Sequence, residues 1–355
     1  MITMANTGLN SSKTYTQNGC PLIDALYINN SGGLRLLEYL VAELQKKAMD
    51  FYLLADARCQ GRFDTCKHVR YMNASLWERK KFYKVNASRF TSVLCFGNIP
   101  APIKMGVPVY TYFHNINLLT LAETQSLKVK AVSWLKREVF KHYKKNTDFW
   151  LVQTSNTAKE LCNHLHETED RVILMPFYEL PEGVAEIAKQ PHGDDYVFVA
   201  VDVPGKNHKE LLEAWGILHR KGIDKTLHLT VQQESPLFAT IKIAQDEGVK
   251  VVNHGVLPFV EVFNLYKQSK ATIYPSHNES LGLGIVEAIT AGCDVVGSDL
   301  PFLHAICKPS AVFKPYSAES IVEAVMEYEK VRTRKSELTI YNHINELIEL
   351  IQENR

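Results

Sequence analysis

The chain has 355 residues, of which 46% are hydrophobic and 22% charged, and a net charge of +1. This profile gives a folded chain long enough for two ordinary domains and excludes the disordered, collagen-like and disulfide-scaffold classes. The near-zero total conceals two unlike halves: residues 1–180 carry 23 Lys and Arg against 15 Asp and Glu, and residues 181–355 carry 17 against 24.

Residues 1–19 are rich in Thr, Asn and Ser and lack an apolar segment. They read as a disordered lead or a cloning remnant, without a signal peptide. From there on, short β-branched or aromatic runs alternate with amphipathic stretches, the pattern of parallel sheets joined by helices. Strands are predicted near 25–28, 51–54, 92–96, 107–112, 150–153 and 172–175. A helix over 34–47 presents Leu36, Leu37, Leu40 and Leu44 on one side. Prolines and a Gly-Asp-Asp mark 181–195 as a linker. The alternation then restarts, with strands near 196–201, 227–231, 249–252, 271–274, 294–296 and 311–313. Helices fall between them at 209–220, 237–246, 260–268, 283–291 and 318–330. A last helix over 338–352 carries Ile340, Ile344, Leu347 and Ile348 on one face.

The expected organisation is therefore two doubly wound parallel α/β domains, at 20–180 and 196–335, with a terminal helix at 336–355. Ligands in such folds bind at the carboxyl ends of the strands, and the cleft between two such domains is the default site. Seven cysteines (20, 59, 66, 95, 162, 293 and 307) form no C-x-x-C pair, which fits a reduced, cytoplasmic protein. No run approaches about 20 apolar residues, so no membrane-spanning helix is predicted. The basic first half suits anionic lipid, nucleic acid or a phosphorylated substrate.

The most informative stretch is Tyr274-Pro-Ser-His-Asn-Glu-Ser-Leu-Gly-Leu-Gly-Ile-Val-Glu-Ala288. A strand ends at Tyr274, and Gly282 and Gly284 open a helix whose free N–H groups favour phosphate. Glu279 precedes the turn, and Glu287 lies about one turn inside. Carboxylates repel phosphate but accept hydrogen bonds from sugar hydroxyls, so the loop suits a phosphorylated polyol. Taken alone, two glutamates eight apart are common, and the plainer reading is a loop charge and a solvated helix residue.

The flanks add to the pair. Lys206-Asn-His-Lys-Glu-Leu-Leu-Glu-Ala-Trp215 and Gly255-Val-Leu-Pro precede it, and Ala291-Gly-Cys-Asp-Val-Val-Gly-Ser-Asp-Leu-Pro301 follows. Together with Glu279 and Glu287 as an E-x7-E motif, these segments resemble the retaining GT-B glycosyltransferases, especially glycosyltransferase family 4 of the bacterial surface-polysaccharide type. The resemblance implies two Rossmann-like domains facing a cleft, the first binding an acceptor and the second a nucleotide-sugar. It also implies a C-terminal helix that returns to the N-terminal domain.

Carried over residue by residue, the resemblance gives Glu287 the ribose hydroxyls and Glu279 the transferred sugar. The N–H groups near Gly282 and Leu283, with Leu281, would hold the diphosphate. Lys206 would neutralise it as it leaves, with Asn207 beside it in the donor-binding set. One departure stands out: many relatives place an Arg five residues before this Lys, and here that position is Val201, followed by Asp202. Either another cation substitutes or one contact is missing.

In the first half, Asn29-Asn-Ser-Gly-Gly33 follows the first predicted strand. The glycine pair alone fits a tight turn equally well. The resemblance places this loop near phosphate and acceptor, which makes Gly33 a donor-binding candidate. The strand near 107–112 ends in Phe113-His114-Asn115. Histidine there can stabilise charge or meet a sugar hydroxyl, and a satisfied loop histidine is the plainer reading. Relatives carry a His near this point that contacts the donor sugar, so His114 joins Glu279 as a catalytic candidate. Cys162, His164 and His166 alternate along a predicted helix and face different sides, so they read as structural. No metal and no cofactor are predicted, the nucleotide-sugar being a co-substrate.

Two basic segments, Trp77-Glu-Arg-Lys-Lys-Phe-Tyr-Lys84 and residues 128–145, mix cations with aromatic residues. The second can lie on an anionic membrane, at about 1 kcal/mol per basic residue near the surface. No nucleic-acid partner is predicted. The implied activity is metal-independent, retaining hexosyl transfer from a nucleotide-sugar, with a lean to uridine diphosphate, to a hydroxyl of a lipid-linked glycan at the cytoplasmic face. Two alternatives compete: a non-catalytic nucleotide-sugar or glycan-binding protein, and an NAD(P)-dependent oxidoreductase. The latter needs a G-x-G-x-x-G loop, and Gly32-Gly33 lacks its third glycine.

Overall fold

A computed structural model describes residues 19–29, 31–119, 138–181, 193–331 and 335–353. The chain divides into two compact units, Met1–Glu179 with Asn342–Arg355, and Leu180–Tyr341.

The first unit holds β1 (Cys20–Ala25), β2 (Tyr52–Asp56), β3 (Val69–Met72), β4 (Phe90–Cys95), β5 (Val109–Phe113), β6 (Phe149–Val152) and β7 (Val172–Leu174). They form one parallel sheet in the order β3-β2-β1-β4-β5-β6-β7. The central strands are mostly buried, and β5 is buried at every position, because a parallel sheet is covered on both faces. Of the helices, α1 (Ser31–Lys46) buries the predicted leucines 36, 37, 40 and 44. Further helices are α2 (Leu76–Asn86) and α3 (Ser155–Leu165), and residues 138–143 are helical as well.

Three features of this unit differ from the sequence reading. The first strand starts at Cys20 and ends at Ala25, not at 25–28, because Asp24 lies inside it. That charge disguises a strand whose burial is otherwise continuous. Edge strand β3 lacks an apolar run, since Arg70 is exposed in its middle. Helix α2 is masked by Glu-Arg-Lys-Lys, yet Ser75 caps it by accepting the N–H of Glu78 at 3.3 Å.

The second unit repeats the plan with β8 (Asp195–Phe198), β9 (Leu227–Leu229), β10 (Val251–Asn253), β11 (Ser269–Tyr274), β12 (Asp294–Ser298) and β14 (Ala311–Phe313), in the order β10-β9-β8-β11-β12-β14. Between them run α4 (His208–Arg220), α5 (Leu237–Asp246), α6 (Phe259–Gln268), α7 (Leu283–Thr290), α8 (Pro301–Ile306) and α9 (Ala318–Lys330). Asp195 opens β8 instead of closing the linker, and the strand ends at Phe198, short of the predicted Val201. Residues 1–18, 128–137 and 182–192, on which the lead, most of the second basic segment and most of the linker fall, lie outside the described residues.

The predicted last helix is shorter than its periodicity suggested. Leu338 belongs to a two-residue strand, β15 (Glu337–Leu338), that pairs antiparallel with β13 (Cys307–Lys308). The helix proper, α10 (Ile344–Gln352), buries Ile344, Leu347, Ile348 and Ile351. It packs in the first unit, where Ser92 Oγ donates to the Ile351 carbonyl at 2.6 Å and the His343 N–H to that of Pro176 at 2.8 Å.

In both sheets the strand order reverses beside the first strand of the unit, between β1 and β4 and between β8 and β11. Open α/β sheets bind ligands outside the carboxyl ends of the strands at that reversal.

Candidate functional site

In the second unit, the loops after β8 and β11 flank the reversal. The first ends in a 3-10 turn, Pro204–Lys206, and Asn207 then takes a left-handed φ of 58° to enter α4. Asn accepts that conformation more readily than most residues. The second loop carries Glu279. The His277 N–H donates to the Gly205 carbonyl at 2.9 Å, which ties the two loops together. Lys206 Nζ donates to Glu279 Oε1, and the Tyr274 hydroxyl donates to the same oxygen at 3.2 Å. Lys206 Nζ also lies 5.7 Å from the centre of the Tyr274 ring.

The Lys206 and Glu279 side chains are 21% and 13% exposed, so their attraction is screened less than on an open surface. Tyr274 is buried. Burial first, and the negative charge of Glu279 next, hold its proton well above the ordinary phenol range, with Glu287 adding to the effect. It is therefore a fixed hydrogen-bond donor to Glu279.

Gly282 stands at φ 62° immediately before α7, a conformation that favours glycine. The first bonds of the helix run from Ile285 and Val286 to the Gly282 carbonyl, which leaves the N–H groups of Leu283 and Gly284 at its open end. Leu281, just before, is buried. Glu287 is 4% exposed, so it is not the solvated helix charge of the plainer reading. Val201 is 50% exposed in the β8 loop and brings no charge there, and the neighbouring Asp202 accepts a hydrogen bond from Ser235.

In the first unit, Gly33 lies in the first turn of α1 and His114 directly follows β5. A Cβ added to Gly33 would stand 2.9 Å from His114 Cε1. The glycine is therefore needed for the approach of the ring, not for a turn. The His114 N–H donates to Asn98 Oδ1 at 2.8 Å. Nε2 of the same ring lies 3.1 Å from Asn98 Nδ2 and 3.1 Å from the Phe96 carbonyl. The ring stacks on Phe96 at 5.4 Å. Burial lowers its pKa to about 4, so the imidazole is neutral at pH 7.

Beneath this loop sits a buried ion pair. Arg79, from α2, donates from Nε to Asp24 Oδ2 at 2.8 Å and from its two terminal nitrogens to the carbonyls of Pro100 and Ile99 at 2.9 and 3.0 Å. The Tyr83 hydroxyl donates to the same aspartate oxygen at 2.6 Å. Arg79 thus holds the segment that presents Asn98, which in turn holds His114.

The structure brings Lys206 to Glu279 and Gly33 to His114, and sets Asn207, Leu281, Gly282, Leu283 and Glu287 on the elements around the first pair. Two residues escaped the sequence reading, Tyr274 and Asn98. Tyr274 looked like an ordinary strand end. Asn98 follows Gly97, a turn dipeptide that signals a loop but not its contact. Among the described residues no three His, Cys, Asp or Glu side chains gather to hold a metal ion. His164 pairs with Glu160 at 3.3 Å, and His166 ends α3 at φ 53°. No described helix is long and apolar enough to cross a membrane.

Residues 184–344, nearly the whole second unit, match the family model for glycosyl transferases group 1. The chain is similar in structure to sucrose-phosphate synthase from Thermosynechococcus elongatus (14% identity, TM-score 0.66, covering 88% of this chain and 90% of that one). It is also similar to the lipopolysaccharide outer core galactosyltransferase WaaB (13%, 0.65, 95% and 97%). A third neighbour is HepE from Anabaena, solved in complex with UDP and glucose (12%, 0.61, 88% and 90%). At these identities the shared property is the fold, the two-domain Rossmann-like architecture called GT-B. No curated protein matches the chain in sequence.

Proposed function

From a second unit that is a group 1 glycosyltransferase domain, we propose that the chain transfers a sugar from a nucleotide-diphosphate sugar to a hydroxyl of a glycan, with retention of configuration and without a metal. The observation that carries this reading is the meeting of Lys206, Glu279 and Tyr274 at the strand-order reversal, beside the open N-terminus of α7. The supporting chemistry is a cation and free N–H groups for a diphosphate, with carboxylates next to them for sugar hydroxyls.

A donor exchanges the Lys206–Glu279 pair for two better-matched contacts: Lys206 turns to the diphosphate and Glu279 to the sugar. Glu287 takes the ribose. The N–H groups of Leu283 and Gly284 stabilise the charge that grows as the bond from the sugar carbon to phosphate breaks, an effect worth about 3 kcal/mol per donor. The acceptor oxygen attacks from the face the phosphate leaves, and its proton passes to the departing phosphate oxygen, so no separate protein base is required. His114, neutral at pH 7, offers a hydrogen bond to the transferred sugar without adding charge, and Gly33 keeps room for it. The donor base is uracil in this reading. The acceptor is a lipid-linked glycan in surface-polysaccharide or glycoconjugate synthesis, with the basic first unit attracted to the anionic cytoplasmic membrane surface.

The test is thermal denaturation with a panel of nucleotide-sugars in the presence of EDTA, for the wild type and Glu287→Gln. A ligand at 100 times its dissociation constant adds about 2.7 kcal/mol to native stability. Stabilisation by a uridine diphosphate sugar, lost in the variant and followed by donor consumption once a glycan is added, supports the reading. A response to NAD or NADP alone overturns it. Donor binding without turnover on any glycan favours a binding protein.

A further inference from the structure

Away from the two strand-order reversals, the first unit contains a cavity of about 470 Å³ along edge strand β3 and helix α2. Its walls include Arg70, Asn73, Trp77, Lys81, Phe82 and Val85. Residues 77, 81 and 85 follow one another at four-residue spacing and form one stripe of the helix. Trp77 is 70% exposed, a large aromatic surface to leave in water. Lys81 Nζ lies 5.5 Å from its ring centre, and Arg70 Cζ lies 5.5 Å from that of Phe82.

The charge here is uncompensated. Several other surface cations of this unit face carboxylates, as in Arg62–Glu38, Lys67–Asp50 and Lys104–Asp148. Among the described residues, Arg70, Lys80, Lys81 and Lys84 have no such partner, and Glu78 is the sole carboxylate of the lining. Open cations beside an aromatic face, with the amide of Asn73 at the rim, match a sugar that carries an acid group. The ring C–H face packs on Trp77, hydroxyls meet the amide, and the acid group meets Arg70 and Lys81. A bilayer surface would need no concavity.

The position fits as well. All seven strands are parallel, so Asn73 and Trp77, which follow β3 and open α2, stand on the same carboxyl-end side of the sheet as Gly33 and His114, while Phe82 reaches back to Tyr52 and Phe90 at the start of β2 and β4. From β3 to β5 is four strand spacings in the order β3-β2-β1-β4-β5, or about 19 Å. Only an elongated ligand spans that distance.

We infer that this cavity is an acceptor subsite for an anionic glycan, in which an acidic sugar is held at Trp77, Arg70 and Lys81 while the reacting hydroxyl lies several units away at His114. The inference deepens the acceptor reading proposed above and rests on it. The test is calorimetric titration of the full chain with tetragalacturonate, a phosphorylated maltotetraose, neutral maltotetraose, inorganic phosphate and phosphatidylglycerol vesicles. At least one acidic tetrasaccharide binds the wild type more tightly than the neutral one. Trp77→Ala and the double variant Arg70→Ala/Lys81→Ala each weaken that binding about tenfold or more. The thermal midpoint stays unchanged, because these side chains are exposed.

The inference is overturned if neither acidic sugar binds, if the variants bind equally well, if inorganic phosphate competes as effectively as the tetrasaccharide, or if only vesicles are captured. The donor response separates this result from the transfer reading. Trp77→Ala keeps the nucleotide-sugar stabilisation of the wild type. A chain that takes the acidic glycan through Trp77 but responds to no nucleotide-sugar keeps the cavity and loses the transferase.

Discussion

The two units share one strand order and one kind of reversal, yet they treat charge at that place in opposite ways. In the first, the ion pair is sealed: Arg79 and Asp24 are each 1% exposed, and each of the three guanidinium nitrogens donates to a carboxylate or carbonyl oxygen. What remains near the loops is a neutral histidine. In the second, the Lys206–Glu279 pair lies within the loops themselves and is partly open to solvent. A sealed pair has no capacity left for a ligand and serves to hold a loop. A half-open pair has acceptors and donors that a ligand can take over. Topology assigns the place in both units, and side-chain burial decides whether charge there is architecture or chemistry.

The hardest way to break this contrast is to unseal the first pair. Arg79→Ala leaves Asp24 buried and unpaired, which costs about 3–5 kcal/mol. Denaturant unfolding should show the loss in the first unit. Arg79→Met removes the charge while filling the space, yet still strands Asp24, and Asp24→Leu in turn orphans the Tyr83 hydroxyl, so only the combined change Arg79→Met/Asp24→Leu/Tyr83→Phe is expected to recover stability. If Arg79→Ala unfolds at the wild-type midpoint, the pair is not architecture.

Removing the open cation tests the other side. Lys206→Ala is expected to lower kcat by about 10²–10³ through lost stabilisation of the leaving diphosphate. Stability should change little, because Glu279 keeps the Tyr274 hydroxyl and gains access to water. A variant that loses stability and keeps its rate would make Lys206 structural after all. Gly33→Ala comes next in size. Its Cβ would press on His114 Cε1 from 2.9 Å and shift the ring, for a rate loss of up to about 10². Unchanged turnover would mean that His114 plays no part in the reaction.

Much of this was legible in the sequence, and the illegible parts have a common cause. The E-x7-E stretch and the Lys206 segment were readable because glycine, a strand end and charged residues stood together in one run. So were the buried strands free of charged residues and rich in β-branched and aromatic ones, such as β5. Asp24, Arg70 and Arg79 defeated the reading of β1, β3 and α2, since a charge inside a strand or on a buried helix face breaks the apolar pattern. Arg79 and Asp24, 55 residues apart, rescue each other, while Arg70 faces solvent on the edge strand. Tyr274 and Asn98 were missed for the same reason: their roles consist of contacts to Glu279 and His114, which propensity does not encode. The helix over 338–352 failed differently, because apolar spacing continued through residues that the short pairing of β13 and β15 claims.

The smallest effect, and the finest probe of the comparison, is the dependence of stability on pH. Each unit buries one histidine near its reversal. Burial lowers both His114 and His208 to about 4, against an ordinary value near 6.5. Between those values the unfolded chain binds protons that the folded chain refuses, so stability falls as pH drops from about 6.5 to 4 and levels off below. Carboxylates act in a lower window. Glu329, whose burial is outweighed by hydrogen bonds from Lys270 and Tyr196, stands at about 2, so its contribution is lost as pH falls from about 4.5 to 2. The two windows separate the residue types, and substitutions separate the units. Among the described residues the ring nitrogens of His208 meet no side chain and lean only on the Ala200 backbone, so His208→Leu removes the titration at little cost in hydrogen bonding. It should flatten the upper window for the second unit, and His114→Asn for the first, in calorimetric midpoints recorded from pH 7 to 4. An unaltered slope in either variant would mean that its histidine charges freely in the folded state, and the neutral imidazole assigned to that reversal would be lost.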